Sequence, residues 1–310
     1  MSELLRSNRT KLSVVELIIA FGSSGEHLAR AVAKITRFSV AETETRRFPD
    51  GELYVRVMGD ASREDVAVFQ SLGMRPDRLL MEYCLIADAV KGMGCKTVTA
   101  VIPYLAYARQ DARFRSGEPL SIKLVARSLE GAGTDRLISV DAHLHRLRAL
   151  KEVFTIPTLN LSAMPLLAEY YKTEFGVRNV IVVGPDSESE QWASTVAGTL
   201  STEYSILNKE RLGDRDVEIS GSPSVRGKTV VLVDDIISTG KTLVGAIRRL
   251  RSKGAKRIDV LTTHALLVEG ALSLLRKAGM SHLVSTDTIP RSTSRVSVAP
   301  MIADALREWK

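Results

Sequence analysis

Two adjacent carboxylates, Asp234 and Asp235, stand between a β-branched run, Val230 to Val233, and the hydroxyl- and glycine-rich segment Ser238-Thr239-Gly240-Lys241-Thr242. A helical pattern follows through Leu243, Ala246, Ile247 and Leu250. A buried strand, a turn and a helix in that order point backbone N–H groups and a positive helix end at the occupant of the turn, which suits a phosphate. The segment is not a nucleotide P-loop, because the first glycine of that spacing would fall at Asp235. The acidic pair is too hydrophilic for a core and too crowded in like charge for a plain loop. Ribose hydroxyls or a cation above the strand end account for it.

Other polar clusters recur where apolar runs stop. Thr97 to Ile102 leads into Tyr107-Ala108-Arg109-Gln110-Asp111, and Arg136 to Val140 into Asp141-Ala142-His143-Leu144-His145. Ligands of parallel sheets bind at such strand ends. The histidine pair fits two readings, a metal site with Asp141 or helix-start histidines satisfied by hydrogen bonds. Phe48-Pro49-Asp50-Gly51-Glu52 is a turn signal that serves either as a plain hairpin tip or as a grip on a base. Asn208 to Val217 is charged and aperiodic, which predicts a mobile loop carrying Lys209 and Arg211.

The elements that must position these groups alternate strand and helix along 310 residues, enough for two domains. Strands are expected at Val14 to Phe21, Val66 to Ser71, Val180 to Val183, Arg257 to Thr263 and His282 to Ser285. Helices are expected at Glu26 to Thr36, Asp77 to Lys91, Ser121 to Leu129, Pro165 to Phe175 and Pro300 to Trp309. Gly22 to Gly25 is expected as a structural turn, and Lys151 to Asn160 as a linker between the halves. The net charge of +7 suits anionic partners. The basic residues are scattered without aromatic interleaving, which favours small phosphorylated ligands over nucleic acid. Cys84 and Cys95 lack metal spacing and predict reduced thiols in a cytoplasmic protein. No apolar run reaches the ~20 residues that span a membrane.

The Asp234 loop resembles the phosphoribosyl-binding loop shared by type I phosphoribosyltransferases and phosphoribosyl pyrophosphate (PRPP) synthases. With Phe48 to Glu52, Tyr107 to Asp111 and Asp141 to His143 in their order and spacing, the resemblance narrows to the PRPP synthase family and covers nearly the whole chain. Ser238-Thr239-Gly240 and Ser285-Thr286-Asp287-Thr288 look most like archaeal members. The resemblance implies two tandem phosphoribosyltransferase-like domains, 1–152 and 153–310, each a mainly parallel sheet flanked by helices. It implies transfer of the β,γ-diphosphoryl group of ATP to the 1-hydroxyl of ribose 5-phosphate, with Mg²⁺, in a homo-oligomer built from dimers.

Residue by residue, it assigns Phe48, Asp50, Gly51, Glu52, Arg109, Gln110 and Asp111 to ATP, and His143 and Asp186 to the metal. Asp234, Asp235, Ser238, Thr239, Gly240, Lys241 and Thr242 go to ribose 5-phosphate, and Lys209 and Arg211 to catalysis. Two departures stand out. Ser187-Glu188-Ser189-Glu190 follows Asp186 where the family usually has glycine, and Lys241 replaces a small residue. The first leaves room for a non-catalytic regulatory relative that binds nucleotide without turnover. A phosphoribosyltransferase consuming PRPP is a third reading, against which the two-domain length argues.

Overall fold

The computed structural model describes residues 17–144, 146–211, 217–220 and 224–309. Positions 14–16 of the expected first strand, His145 and part of the expected 208–217 loop lie outside the described residues.

The chain runs through one series of elements twice. The first pass is β1 (Leu17–Phe21), α1 (Glu26–Thr36), β2 (Ser39–Val40), β3 (Thr43–Arg47), β4 (Leu53–Val57), β5 (Asp65–Phe69), α2 (Pro76–Gly92), β6 (Thr97–Val101), α3 (Ser121–Gly131), β7 (Arg136–Val140), β8 (Thr158–Leu161) and α4 (Met164–Phe175). The second is β9 (Val180–Gly184), α5 (Glu190–Leu200), β10 (Tyr204–Ile206), β11 (Asn208–Arg211), β12 (Val217–Ser220), β13 (Thr229–Ile237), α6 (Lys241–Ser252), β14 (Arg257–Ala265), α7 (Ala271–Ala278), β15 (His282–Thr286), β16 (Ser294–Val296) and α8 (Ala299–Glu308). Each pass builds a six-stranded parallel sheet, in the orders β2-β1-β5-β6-β7-β8 and β10-β9-β13-β14-β15-β16. Each also inserts an antiparallel hairpin at the same point, β3–β4 after β2 and β11–β12 after β10.

The strands form because their β-branched runs are covered on both faces. In the second sheet, Val182, Val231 and Val233 pack under Trp192 and Val196 of α5 and Leu167 and Tyr171 of α4. The opposite face packs Val183, Val230 and Leu232 against Leu243, Ile247 and Leu250 of α6. Fully burying such side chains is worth roughly 1.5–3 kcal/mol each. In the first sheet Tyr83, Ile86 and Val90 of α2 cover Val66, Val68 and Val98, while Leu28 and Val32 of α1 cover Ile19 and Phe69.

The closing helices are exchanged between the halves. α4, which follows the first sheet's last strand, packs on α5 of the second half. α8 buries Val298, Ile302 and Leu306 among the core residues around α1 and β1 of the first half. The division expected at 152/153 falls in the β7–β8 connection, and the segment expected as a linker supplies the first sheet's edge strand, β8. The Asn208 to Val217 segment also differs from a structureless loop. Its start pairs as β11 with β12 through backbone bonds that need no apolar alternation. Among the described residues, no helix is long and apolar enough to cross a membrane.

Candidate active site

β13 is longer than its apolar run predicts and carries both carboxylates on the strand, as Asp234 and Asp235, before the chain turns at Ser238-Thr239-Gly240. Gly240 has φ +72°, a left-handed conformation that glycine adopts at no steric cost, and α6 begins at the next residue. The turn and helix start form one wall of a cavity of about 280 Å³. Every residue of the expected sugar-phosphate set, Asp234, Asp235, Ser238, Thr239, Gly240, Lys241 and Thr242, lines it. So do Asp186 and Glu188 at the end of β9, and Arg109 and His143 from the first half.

The polar groups are strongly coupled. His143 Nδ1 lies 2.7 Å from Asp235 Oδ2, a bridge between the two halves. Burial, reinforced by Arg109, pushes the His143 imidazole down to about 4. Burial, then the nearby Asp141, pushes the Asp235 carboxyl up to about 8. The Asp234 carboxyl is raised well above its ordinary range, by burial first and then by Asp235 and Asp186. Four carboxylates thus face two cations, Arg109 and Lys241, in one cavity. Such a site favours a further cation or protons until one arrives.

The ends of the neighbouring strands hold this geometry. Asp141, buried and at φ +38°, accepts hydrogen bonds from Ala163 N (2.9 Å) and from Thr263 Oγ1 of the second half (2.7 Å). At the end of β9, Asp186 N donates to Ser189 Oγ at 3.3 Å, and that hydroxyl donates back to Asp186 O at 2.5 Å. The Ser187-Glu188-Ser189 departure therefore forms a hydroxyl-capped 3-10 turn in place of a glycine turn.

Other expected residues lie elsewhere. The Gln110 side chain accepts a hydrogen bond from Ser121, and Asp111 pairs with Arg146 at 2.8 Å; neither lines the cavity. Phe48, Asp50, Gly51 and Glu52 form the tip between β3 and β4 and do not line the cavity either. Phe48 meets the edge of Tyr54 with ring centroids 5.9 Å apart, and Arg46 lies over both rings. Asp50 Oδ1 accepts from Glu52 N at 3.1 Å, which closes the turn. Lys209 and Arg211 occupy β11, and their side chains lie outside the described residues. The sequence reading offered Asp141 beside the histidine pair and missed Thr263 and His264, with which it forms the seam behind the site. The available signal was Thr262-Thr263-His264 inside an otherwise apolar strand.

Comparisons with known proteins agree with this layout. Residues 17–133 match the family model of the N-terminal domain of ribose phosphate pyrophosphokinase, and residues 149–280 match the phosphoribosyl transferase domain. A ribose-phosphate pyrophosphokinase of Methanobrevibacter smithii is 39% identical over 303 residues, covering 94% of this chain and 100% of that protein. One from Methanothermobacter thermautotrophicus is 40% identical over 287 residues, covering 92% and 98%. The crystal structure of phosphoribosylpyrophosphate synthetase from Mycobacterium smegmatis superposes with a TM-score of 0.86 at 33% identity, covering 95% of this chain and 98% of that one.

Proposed function

The chain belongs to the ribose-phosphate pyrophosphokinase family, and we propose on that premise how its residues divide the reaction. The protein transfers the β,γ-diphosphoryl group of ATP to the 1-hydroxyl of ribose 5-phosphate. The anomeric oxygen bonds to the β-phosphorus, the bond from that phosphorus to the α,β-bridging oxygen breaks, and AMP leaves with the bridging oxygen. The observation that carries this reading is the single cavity in which Arg109 and His143 of the first half face the Asp234-to-Thr242 segment of the second.

Each role follows from chemistry. The 5-phosphate sits in the Ser238–Thr242 turn at the start of α6, where backbone N–H groups point outward and Gly240 holds the left-handed turn. Asp234 and Asp235 accept hydrogen bonds from ribose hydroxyls. Arg109 meets ATP phosphate oxygens. The tip bearing Phe48, Asp50, Gly51 and Glu52 offers the adenine a ring and acceptors, with Gln110 and Asp111 supporting the Arg109 loop. Because that tip does not line the cavity of its own chain, assembly into a homo-oligomer gives it a route to a site.

Magnesium fits the oxygen-rich wall formed by Asp186, Glu188, Asp234 and Asp235, with His143 beside it. Among the described residues, no three His, Cys, Asp or Glu side chains are grouped to hold an ion unaided. Magnesium takes few protein ligands and shares phosphate oxygens. When bound, it neutralises charge on the transferring group. Lys209 and Arg211 stabilise the same developing charge from β11. Cys84 and Cys95 are free thiols, in keeping with a cytoplasmic site of action.

The test is AMP release from ATP and Mg²⁺, with and without ribose 5-phosphate, by the wild type and Lys209→Ala. Sugar-dependent AMP formation should fall at least ~100-fold in the variant. Equal AMP release with and without the sugar would refute the transfer.

A further inference from the structure

We infer that His264, which does not line the cavity, is a positioning residue that fixes the two first-half loops bearing Arg109 and His143 against the second-half carboxylates. The inference rests on the diphosphoryl-transfer reading above and deepens it. His264 is on β14, is 1% exposed, and projects its ring across the seam between the halves. Nε2 lies 2.9 Å from Val140 O and 3.3 Å from Asp141 O, both at the end of β7 in the first half. Nδ1 lies 2.9 Å from Thr288 Oγ1.

These partners fix the tautomer. Nε2 faces two carbonyl oxygens and must donate, so in the neutral ring Nδ1 accepts from the Thr288 hydroxyl. Thr263 O keeps a donor, because Thr286 Oγ1 reaches it at 2.7 Å. Burial holds the ring neutral, with its pKa pushed down to about 3.

The same ring also braces the second loop. Its centroid is 4.8 Å from that of Tyr104, which follows β6 and precedes Arg109. Tyr104 N donates to Ser71 Oγ at 3.3 Å, and Ser71 Oγ donates to Thr288 O at 2.6 Å. Thr288 is therefore tied to His264 through its hydroxyl and to the first half through its carbonyl. On the other loop, Asp141 sits at φ +38°, a left-handed conformation that an L-residue seldom adopts unless its surroundings enforce it. Two residues later, His143 meets Asp235 at 2.7 Å. A strained turn aimed across a seam needs an anchor on the far side, and His264 is that anchor.

Two replacements separate positioning from bulk. His264→Gln keeps a donor and an acceptor. His264→Phe keeps a ring against Tyr104 and loses both hydrogen bonds. In His264→Phe, kcat should fall at least ~10-fold and KM for ATP rise about 5-fold, since displacements near 1 Å are that costly. KM for ribose 5-phosphate should stay within about twofold, because the 238–242 turn is not held by this ring. His264→Gln should recover most of kcat. Hydrogen exchange should quicken at the amides of Val140, Asp141, Ala142 and Tyr104 and stay unchanged at 238–244.

Wild-type kinetics in the Phe variant would overturn the inference. So would an equal rise in both KM values with faster exchange throughout the second sheet, the signature of plain destabilisation. Should His264→Phe fail to fold, Thr288→Val removes one partner of the ring at similar volume and is judged by the same ATP-against-sugar split. If the wild type releases no AMP, the transfer reading fails by itself. Calorimetric ATP affinity and the exchange pattern then decide the role of His264, with weaker ATP binding and loosened 140–142 amides supporting it and unchanged values refuting it.

Discussion

The two halves share strand order, helix placement and even the position of their hairpins, yet the turns that follow their first strands differ, one filled from within its own chain and the other facing the cavity. In the first half the turn after β1 is filled from within. Ser23 N and Oγ donate to the carboxylate of Glu82 at 2.5 and 2.9 Å, and Glu82 is fully buried on α2. Ser24 N and Oγ donate to Gln70 Oε1 at 3.1 and 2.7 Å. Gly25 lies so close to β5 that an added Cβ would stand 2.1 Å from Phe69 O. In the second half the matching turn contributes Asp186 and Glu188 to the cavity, and the turn after β13 contributes Ser238 to Thr242. A helix start with unpaired N–H groups attracts an anion. At this turn the first half supplies the anion from its own chain, and it meets the cavity through Arg109 and His143 instead. The second half leaves the place for a substrate.

The largest test of this contrast exchanges a carboxylate in each half. Asp234→Asn should lower AMP formation at least ~100-fold, because a site built to pair a sugar hydroxyl loses its charged acceptor. It should also raise Tm by about 2–4 °C. Burial and Asp235 lift the Asp234 carboxyl well above its ordinary range, so ionising it in the unliganded fold is uphill, and a neutral amide removes that cost. Glu82→Ala should do the reverse. It strands Ser23 N and Oγ and should cost roughly 2–4 kcal/mol in urea unfolding, while the folded fraction keeps near-normal kinetics. If Glu82→Ala instead abolished activity at unchanged stability, the turn after β1 would be a working part of the site and the contrast would collapse.

The same contrast explains what was legible in the sequence. The open half announced itself, because Asp234, Asp235 and Ser238 to Thr242 are polar residues placed directly after a buried run, with no local reason to be there. Glu82 could not be read that way. It lies among the charged and apolar residues of an amphipathic helix, and its partners are 59 residues away. The exchange of α4 and α8 was hidden for a related reason. Apolar periodicity gives the face that a helix buries, not the sheet that buries it. The β11 side of the β11–β12 ribbon is the polar run Asn208 to Arg211, which carries no apolar periodicity. His264 was passed over because it falls just past the strand expected at Arg257 to Thr263, and its partners Thr288 and Val140 lie 24 and 124 residues distant.

The seam belongs to neither half, and pH separates it from both. His264 has an ordinary pKa of 6.5 and is held down to about 3 in the fold. Between those values the unfolded chain binds a proton that the native state refuses. Its share of stability is therefore complete above pH 6.5 and drains away as pH falls, by at most about 1.4 kcal/mol per unit. Asp235 slopes the other way. Its folded carboxyl, raised to about 8 from 3.8, makes the unliganded fold lose stability as pH rises between those values. Urea unfolding of the wild type and His264→Gln from pH 7 to 4.5 isolates the histidine. The difference between them should shrink as pH drops, and a constant difference would show that the native seam accepts the proton.

The smallest effect lies in how each half starts the helix after its third sheet strand. α2 opens with Pro76 and Asp77, an acidic residue in the first turn, as a helix with no external anion to meet would favour. α6 opens with Lys241 and no acidic residue in its first turn. A cation there opposes the helix dipole by about 0.3–1 kcal/mol, so its presence calls for a compensating anion, and Lys241 does line the cavity. Lys241→Ala should raise KM for ribose 5-phosphate by about 3–10-fold with kcat within twofold, the pattern of an interaction made equally in ground and transition states. The unliganded variant should be slightly more stable than the wild type, and the advantage should vanish when the sugar phosphate is bound. An unchanged KM would make Lys241 a solvated surface charge. A fall in kcat alone would move it from holding the 5-phosphate to stabilising the transferring group, and the open half would then supply catalytic charge from its helix start as well as from β11.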